Sequence, residues 1–241
     1  RYAFLNSHFQ SGLKNLMDEA VIHHVQHHDD SIDTSGFKKI DEIPFDFQRR
    51  RMSVVFEESD GRHILICKGA FEELIHQSTS LIINGTEETL TKKRISQQQS
   101  LVHELNQDGF RVLAVGIKRI SNQASYAVSD EQSLCLAGYI AFLDPPKDSA
   151  KPAITLLNQS GVTVKVLTGD NEVVTKKICS EVGLQTHGIL LGSDIENLSD
   201  EALCLKVNEC DVYAKLTPEQ KARIILFLQQ QGHVVGYMGD G

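Results

Sequence analysis

Val162-Thr163-Val164-Lys165-Val166-Leu167-Thr168-Gly169-Asp170 is the stretch on which the fold of this chain turns. Its first six residues are mostly β-branched and read as a strand over 162–167. The strand then discharges into a hydroxyl, a glycine and a carboxylate. Helical patterns flank it on both sides. Residues 150–159 form one, with Gly161 behind it. Residues 171–182 form the other, with Val174, Ile178 and Val182 stacked on one face and Gly183 closing it. A strand held between helices predicts a parallel, doubly wound sheet.

The same rhythm continues outward. A short helix follows Ser199, and 212–214 reads as a short strand. Thr217-Pro218-Glu219-Gln220 carries a cap, a proline at the first helical position and a glutamine three residues after the cap. Together these predict a helix start, with the helix running to Gln230 and Gly232. Residues 234–238 are then expected as a buried strand leading into Gly239-Asp240-Gly241. In an open parallel sheet both acidic loops fall on the carboxyl edge, where ligands bind. Asp is a hard oxygen ligand suited to Mg²⁺. Lys221, in the first turn after Thr217-Pro218, is a candidate to balance phosphate charge there; the alternative is an exposed helix lysine.

Upstream of Asp144-Pro145-Pro146 the character changes. Residues 52–57 and 63–68 are short apolar runs joined by Ser59-Asp60-Gly61, and 81–83 meets the turn pair Asn84-Gly85. Residues 110–117 and 134–142 read as further strands. Helices are expected near 8–22, 69–77 and 92–107. Several hairpins with few helices predict an antiparallel sheet with helices packed on it. Lys68-Gly69-Ala70 sits where a strand meets a helix, a plausible phosphate or nucleotide position, although a surface lysine at a sheet edge reads the same way. Phe45-Asp46-Phe47 followed by Arg49-Arg50-Arg51 pairs an aromatic for base stacking with guanidinium groups for phosphates; a core phenylalanine beside a solvated charge run is the alternative.

Composition narrows the function. The chain has 241 residues, 41% of them hydrophobic, and a formal net charge of −8. That balance argues against a general nucleic-acid or membrane-surface role. The five cysteines, Cys67, Cys135, Cys179, Cys204 and Cys210, show no paired spacing and read as reduced core residues. No apolar run approaches the roughly 18 residues of a membrane span. The cluster His23, His24, His27 and His28 reads as a solvated connection rather than a metal site. There is no Walker A loop and no GxGxxG.

Taken in order, Ile43-Pro44-Phe45, Arg50, Met52-Ser53-Val54, Lys68-Gly69-Ala70, Arg111-Val112-Leu113-Ala114, Asp144-Pro145-Pro146, Thr168-Gly169-Asp170, Leu216-Thr217-Pro218-Glu219-Gln220-Lys221 and Met238-Gly239-Asp240-Gly241 resemble the cytoplasmic half of P-type ion-pumping ATPases. The resemblance spans nearly the whole chain; each motif is short, but their order and spacing together are specific. Lys39-Ile40-Asp41-Glu42-Ile43-Pro44-Phe45-Asp46-Phe47 and Gly138-Tyr139-Ile140-Ala141-Phe142-Leu143-Asp144-Pro145-Pro146-Lys147 look most like bacterial magnesium-transporting ATPases. So do Gly192-Ser193-Asp194-Ile195-Glu196 and Leu5-Asn6-Ser7-His8-Phe9-Gln10.

The resemblance implies an α+β nucleotide-binding domain over residues 1–143, an antiparallel sheet flanked by helices. After it comes a partial α/β doubly wound, haloacid-dehalogenase-like phosphorylation domain over 144–241. It further implies ATP and Mg²⁺ as cofactors. Phe45 would stack on adenine; Arg50, Lys68 with Gly69, and Arg111 would contact ATP; and Asp18 would face the adenine amino group. Asp144 would belong to the hinge between domains. Thr168 and Asp170 would handle the transferred phosphoryl group, Lys221 would neutralise it, and Asp240 would coordinate Mg²⁺. The family's phosphorylated aspartate lies in an Asp-Lys-Thr-Gly-Thr motif that does not occur in these residues. The chain is therefore expected to be a soluble piece that binds ATP without forming the phospho-enzyme. Its parent would couple ATP hydrolysis to magnesium transport in the bacterial plasma membrane, with this region cytoplasmic. Its partners would be the actuator, phosphorylation-loop and transmembrane parts of the same polypeptide, and no nucleic acid. The alternatives are a soluble haloacid-dehalogenase-like phosphatase or phosphomutase with an inserted cap domain, a P-type ATPase for another cation, and a nucleotide-sensing module.

Overall fold

The computed structural model describes residues 1–12, 15–27 and 32–239. The chain divides into two units: Arg1–Val102 with Val112–Phe142, and His103–Arg111 with Leu143–Gly241.

The first unit is built on a seven-stranded sheet. Its strands are β1 (Lys38–Asp46), β2 (Arg51–Glu57), β3 (His63–Ala70), β4 (Ser78–Ile83), β5 (Thr86–Thr89), β6 (Phe110–Ile120) and β7 (Leu134–Leu143), in spatial order β1-β2-β3-β6-β7-β4-β5. Successive strand side chains point to opposite faces, and both faces of β2 and β3 are covered. Val55, Leu65 and Cys67 pack on one side with Phe71 and Leu74 of α3 (Phe71–Gln77) and Val102 of α4 (Lys92–Gln107). Val54, Phe56, Ile64 and Ile66 pack on the other with Leu5 and Phe9 of α1 (Tyr2–Phe9). This is why the two strands read as nearly unbroken apolar runs. The remaining helix, α2 (Leu16–His27), packs against α1.

Several expectations are met in detail. Asn84 and Gly85 take φ of 50° and 81° between β4 and β5, the left-handed pair of a two-residue hairpin. Others are corrected. The sheet is mixed rather than antiparallel, because β4 runs parallel to β7. The helix expected near 8–22 is two helices. Strand β1 forms although it carries Pro44 among charged residues; at the sheet's edge a proline interrupts no ladder on its open side.

The second unit holds a three-stranded parallel sheet of β8 (Val166–Leu167), β9 (Ile189–Leu191) and β10 (Val212–Ala214), with β10 central. On one face, Ile154 of α5 (Ala150–Gln159) and Cys179 of α6 (Glu172–Glu181) pack near Val212. On the other, Tyr213 meets α7 (Gly192–Asn197), α8 (Asp200–Glu209) and α9 (Pro218–Gln230) through Ile195, Leu203 and Ile224. The capping box at α9 forms as the sequence predicts, with Thr217 Oγ1 accepting from the Gln220 amide and Gln220 Oε1 from the Thr217 amide at 3.0 Å. Cys67, Cys135, Cys179 and Cys210 are buried.

Residues 234–238 are not a strand: Val234 is 103% and Met238 98% exposed. A β-branched apolar run becomes a strand only beside a partner, and among the described residues none pairs with it. Tyr213, fully buried, donates its hydroxyl toward the carbonyls of Val207 and Cys210 at 2.9 and 3.0 Å. Tyr213→Phe removes both bonds from a dry core, although the Cys210 carbonyl still accepts from Lys165 Nζ at 2.6 Å, and is expected to cost about 1–2 kcal/mol, measured by urea unfolding.

Candidate functional site

A cleft of about 320 Å³ opens in the first unit, lined among others by Asp18, Glu42, Phe45, Arg50, Lys68 and Gly69. Four separate segments deliver these side chains: α2 brings Asp18, β1 brings Glu42 and Phe45, the β1–β2 turn brings Arg50, and β3 brings Lys68 and Gly69. Asp46 organises the turn by accepting the Gln48 and Arg49 amides on Oδ1 at 2.9 and 2.7 Å. Arg50 takes a left-handed φ of 46°, while its amide donates to the Asp46 carbonyl at 2.7 Å and its carbonyl accepts from Ala70 N at 3.0 Å. Phe45 lines the cleft at 52% exposure, its ring edge-on to that of Phe47 at 5.3 Å. An aromatic that borders a cleft and stays this open is a ready stacking surface, not the core residue of the alternative reading.

Lys68 decides the chemistry of the cleft. It lies on β3, flanked by β2 and β6, and is 6% exposed, so the reading as a surface lysine at a sheet edge fails. Its Nζ donates to Ser7 Oγ at 2.6 Å and to Asp18 Oδ1, and Gln10 Nε2 donates to the other Asp18 oxygen at 2.6 Å. Burial pulls the Lys68 pKa down against the hydrogen bond and charge of Asp18. Burial also opposes ionisation of Asp18, but the Lys68 hydrogen bond and charge, with Ser7 and Gln10, prevail and hold its pKa below the ordinary value. A buried cation with its counter-charge at the wall of a cleft that also presents Met17, Phe45, Met52 and Leu113 is an arrangement suited to a ligand with a polar head and an apolar face. Glu42 is half-buried and accepts from Lys39 Nζ at 2.5 Å and the Ser11 amide at 2.9 Å, which ties the segment after α1 to β1 beside the cleft.

One residue expected to contact ATP falls elsewhere. Arg111 does not line the cleft; within the second unit its guanidinium lies 2.8 Å from Asp170 and 3.7 Å from Asp144. Thr168, Asp170 and the start of α9 do come together. Strands β8 and β10 are parallel neighbours, so their ends share an edge. There the Leu216 amide donates to the Thr168 carbonyl at 3.0 Å and the Lys215 amide to the Asp170 carbonyl at 2.7 Å. Thr168 Oγ1 donates to Asp170 Oδ2 at 2.9 Å. Lys221 is half-buried in the first turn of α9. Asp240 lies outside the described residues, as does His28. The rings of His23 and His27 are 4.0 Å apart, and no group of three metal-ligating side chains occurs among the described residues.

Residues 6–149 match the family described as the cytoplasmic domain N of P-type ATPases. The chain belongs to the P-type ATPase family. Among its relatives, the "Magnesium-transporting ATPase, P-type 1" of Salmonella typhimurium LT2 is 47% identical over 240 residues, covering 99% of this chain. That of Escherichia coli K12 is 46% identical over 240 residues, again 99% of this chain. The "Calcium-transporting ATPase" of Bacillus subtilis 168 is 28% identical over 210 residues, 86% of this chain and 24% of that protein. The chain spans 27% of the length of the two magnesium-transporting relatives. Among the described residues no helix is long and apolar enough to cross a membrane.

The cleft of the first unit draws on further residues to which the quoted motifs assign no role. Ser7 and Gln10 complete the Lys68–Asp18 network, and Lys39 holds Glu42. Only Leu5-Asn6-Ser7-His8-Phe9-Gln10, already part of the resemblance, pointed toward the first two.

Proposed function

We propose that the chain is the ATP-binding region of a P-type ATPase, with residues 1–143 as its nucleotide-binding domain. Residues 144–241 would then be part of a haloacid-dehalogenase-like phosphorylation domain. The observation that carries this reading is the cleft in which the exposed ring of Phe45, Arg50 and the buried Lys68–Asp18 pair meet. Phe45 offers a face for adenine, Lys68 donates within the base pocket, and Arg50 supplies a guanidinium for phosphate oxygens. Asp18, already holding Lys68 and Gln10, orients the donors around the base. In the second unit, Thr168, Asp170 and Lys221 would position and neutralise the transferred phosphoryl group, work dominated by geometry and charge; Arg111 beside Asp170 and the hinge residue Asp144 would steady that edge. Mg²⁺, assigned to Asp240 by resemblance alone, would supply charge neutralisation on the phosphates.

The parent protein would hydrolyse ATP through an aspartyl phosphate and move a cation across a bacterial plasma membrane, with this region on the cytoplasmic side. The higher identity to the magnesium-transporting relatives, 47% against 28% for a calcium-transporting one, favours magnesium as that cation.

ATP titrated into the chain should shift the amide signals of Phe45, Arg50, Lys68 and their neighbours. Phe45→Ala should weaken ATP binding about tenfold, in line with the roughly 1–3 kcal/mol that a stacked base contributes, with the signals of β2 and β3 otherwise in place. Shifts confined to other parts of the chain would show that the cleft is not the nucleotide site. Lys68→Ala should weaken binding as well, but it strands Asp18 in a buried wall, so its affinity must be measured together with its stability.

A further inference from the structure

Glu131 has no part in the reading above, yet among the described residues of the first unit it is the most thoroughly buried carboxylate, at 0% exposure. Its Oε2 accepts from Arg49 Nη1 at 2.6 Å and from Arg51 Nε at 2.8 Å, and its Oε1 accepts from Ser53 Oγ at 2.7 Å. Arg49 also donates through Nη2 to the Pro44 carbonyl at 2.7 Å. One carboxylate therefore clamps the residue on either side of Arg50, and through Arg49 it reaches the strand end that leads into the turn. Neither Glu131 nor Arg49 lines the cleft, whereas Arg50 does.

The clamp has something to hold. Arg50 sits at φ 46°, a region that is costly for a residue with a side chain and persists only where the surroundings impose it. A three-arginine run on an exposed hairpin would otherwise splay by mutual repulsion. Drawing Arg49 and Arg51 inward onto a dry carboxylate leaves Arg50 as the guanidinium of the run that borders the cleft. Burying a full charge is expensive unless it is paired and hydrogen-bonded. Here three donors satisfy Glu131, and the net positive charge left over stays at the turn.

We propose that Glu131 is a positioning residue for the nucleotide cleft: by fixing Arg49 and Arg51 it aims Arg50 at the phosphate chain of the ligand. The proposal rests on the nucleotide reading of the cleft. It predicts a selective effect, on phosphates and not on the base.

The test compares ATP and adenosine affinities by calorimetry for the chain and its Glu131→Gln, Arg50→Gln and doubly substituted forms. Glu131→Gln should weaken ATP about tenfold and leave adenosine within about twofold, because a misdirected guanidinium loses phosphate contacts only. In the Arg50→Gln background it should add nothing further. Equal loss for ATP and adenosine, additive losses in the double variant, or unchanged affinities would each overturn the positioning role. If Glu131→Gln does not fold, Arg49→Gln, which leaves the Arg51 and Ser53 contacts to Glu131 in place, decides by the same ratio of affinities. Failure of the unsubstituted chain to bind ATP at all is a different outcome, and it would remove the nucleotide reading itself.

Discussion

Asp18→Ala is expected to lower the stability of the first unit by about 3–5 kcal/mol, the usual result of stripping one partner from a buried ion pair. Asp18 is 1% exposed and Lys68 6%, and both Asp18 oxygens are occupied, by Lys68 and by Gln10. Alanine removes the counter-charge and leaves an ammonium group in a wall that already disfavours it. The pH dependence gives the argument a sign. The folded-state pKa of Asp18 lies below its ordinary value, so its contribution is present above the unfolded pKa of about 3.9 and is lost as pH falls through the folded value. The folded-state pKa of Lys68 is also lowered, so stability rises with pH between that value and the unfolded one near 10.4. Without Asp18 that window widens toward lower pH. The deficit of Asp18→Ala should therefore shrink between pH 7 and pH 9.5, in urea unfolding followed through the amide signals of β2 and β3. The double variant Asp18→Ala, Lys68→Met, which removes both charges, should recover much of the loss. A deficit below about 1 kcal/mol, or one that ignores pH, would contradict the pairing.

Local chemistry was the legible part of this protein. The Thr217–Gln220 capping box and the Asn84-Gly85 turn are decided within a few residues, and both form as read. The same is true of the helical repeat over α4 and α6. What sequence could not supply was a neighbour. Residues 234–238 have every strand preference and no strand beside them among the described residues. Strand β1 has a proline and alternating charges that argue against a strand, yet an open edge accepts them. For Lys68 the residues alone leave a ligand position and an edge lysine both open, because the order β1-β2-β3-β6-β7-β4-β5, which buries β3, is set by pairings across the chain. Glu131 was unreadable for the same reason: it is one acid among 32 acidic residues, and its partners lie 78 to 82 positions away. The resemblance covers Ser7, Gln10 and Lys39 within longer quoted stretches, but it gave them no role; their part in the cleft is visible only once Lys68, Asp18 and Glu42 are placed beside them.

Gly69→Ala joins the sheet to the cleft most directly, and it is expected to cost about 3 kcal/mol and to weaken ATP binding at least tenfold. The glycine is not needed for a left-handed backbone, since Gly69 is absent from the positive-φ positions. It is needed for space. Opposite Arg51 in the β2–β3 ladder, a Cβ at Gly69 would sit 2.4 Å from the Arg50 carbonyl oxygen, 2.5 Å from Arg51 Cβ and 2.7 Å from Arg51 Cα. Backbone atoms cannot swing aside as a side-chain tip would, so the methyl must push β2 and the turn away from β3; overpacking of this kind costs about 1–3 kcal/mol and occasionally more. The displaced carbonyl is the one that accepts from Ala70 N at 3.0 Å. Losing that bond frees the turn that carries Arg50, and a shift of about 1 Å there is enough to cost a large share of the phosphate contacts. Hydrogen exchange should show the Ala70 amide deprotected in Gly69→Ala while the β4–β5 hairpin, at the far side of the sheet, keeps its protection. Full protection at Ala70 with unchanged ATP affinity would mean that the strands absorb the methyl without parting at the turn, and that the close approach at Gly69 has no role in shaping the cleft.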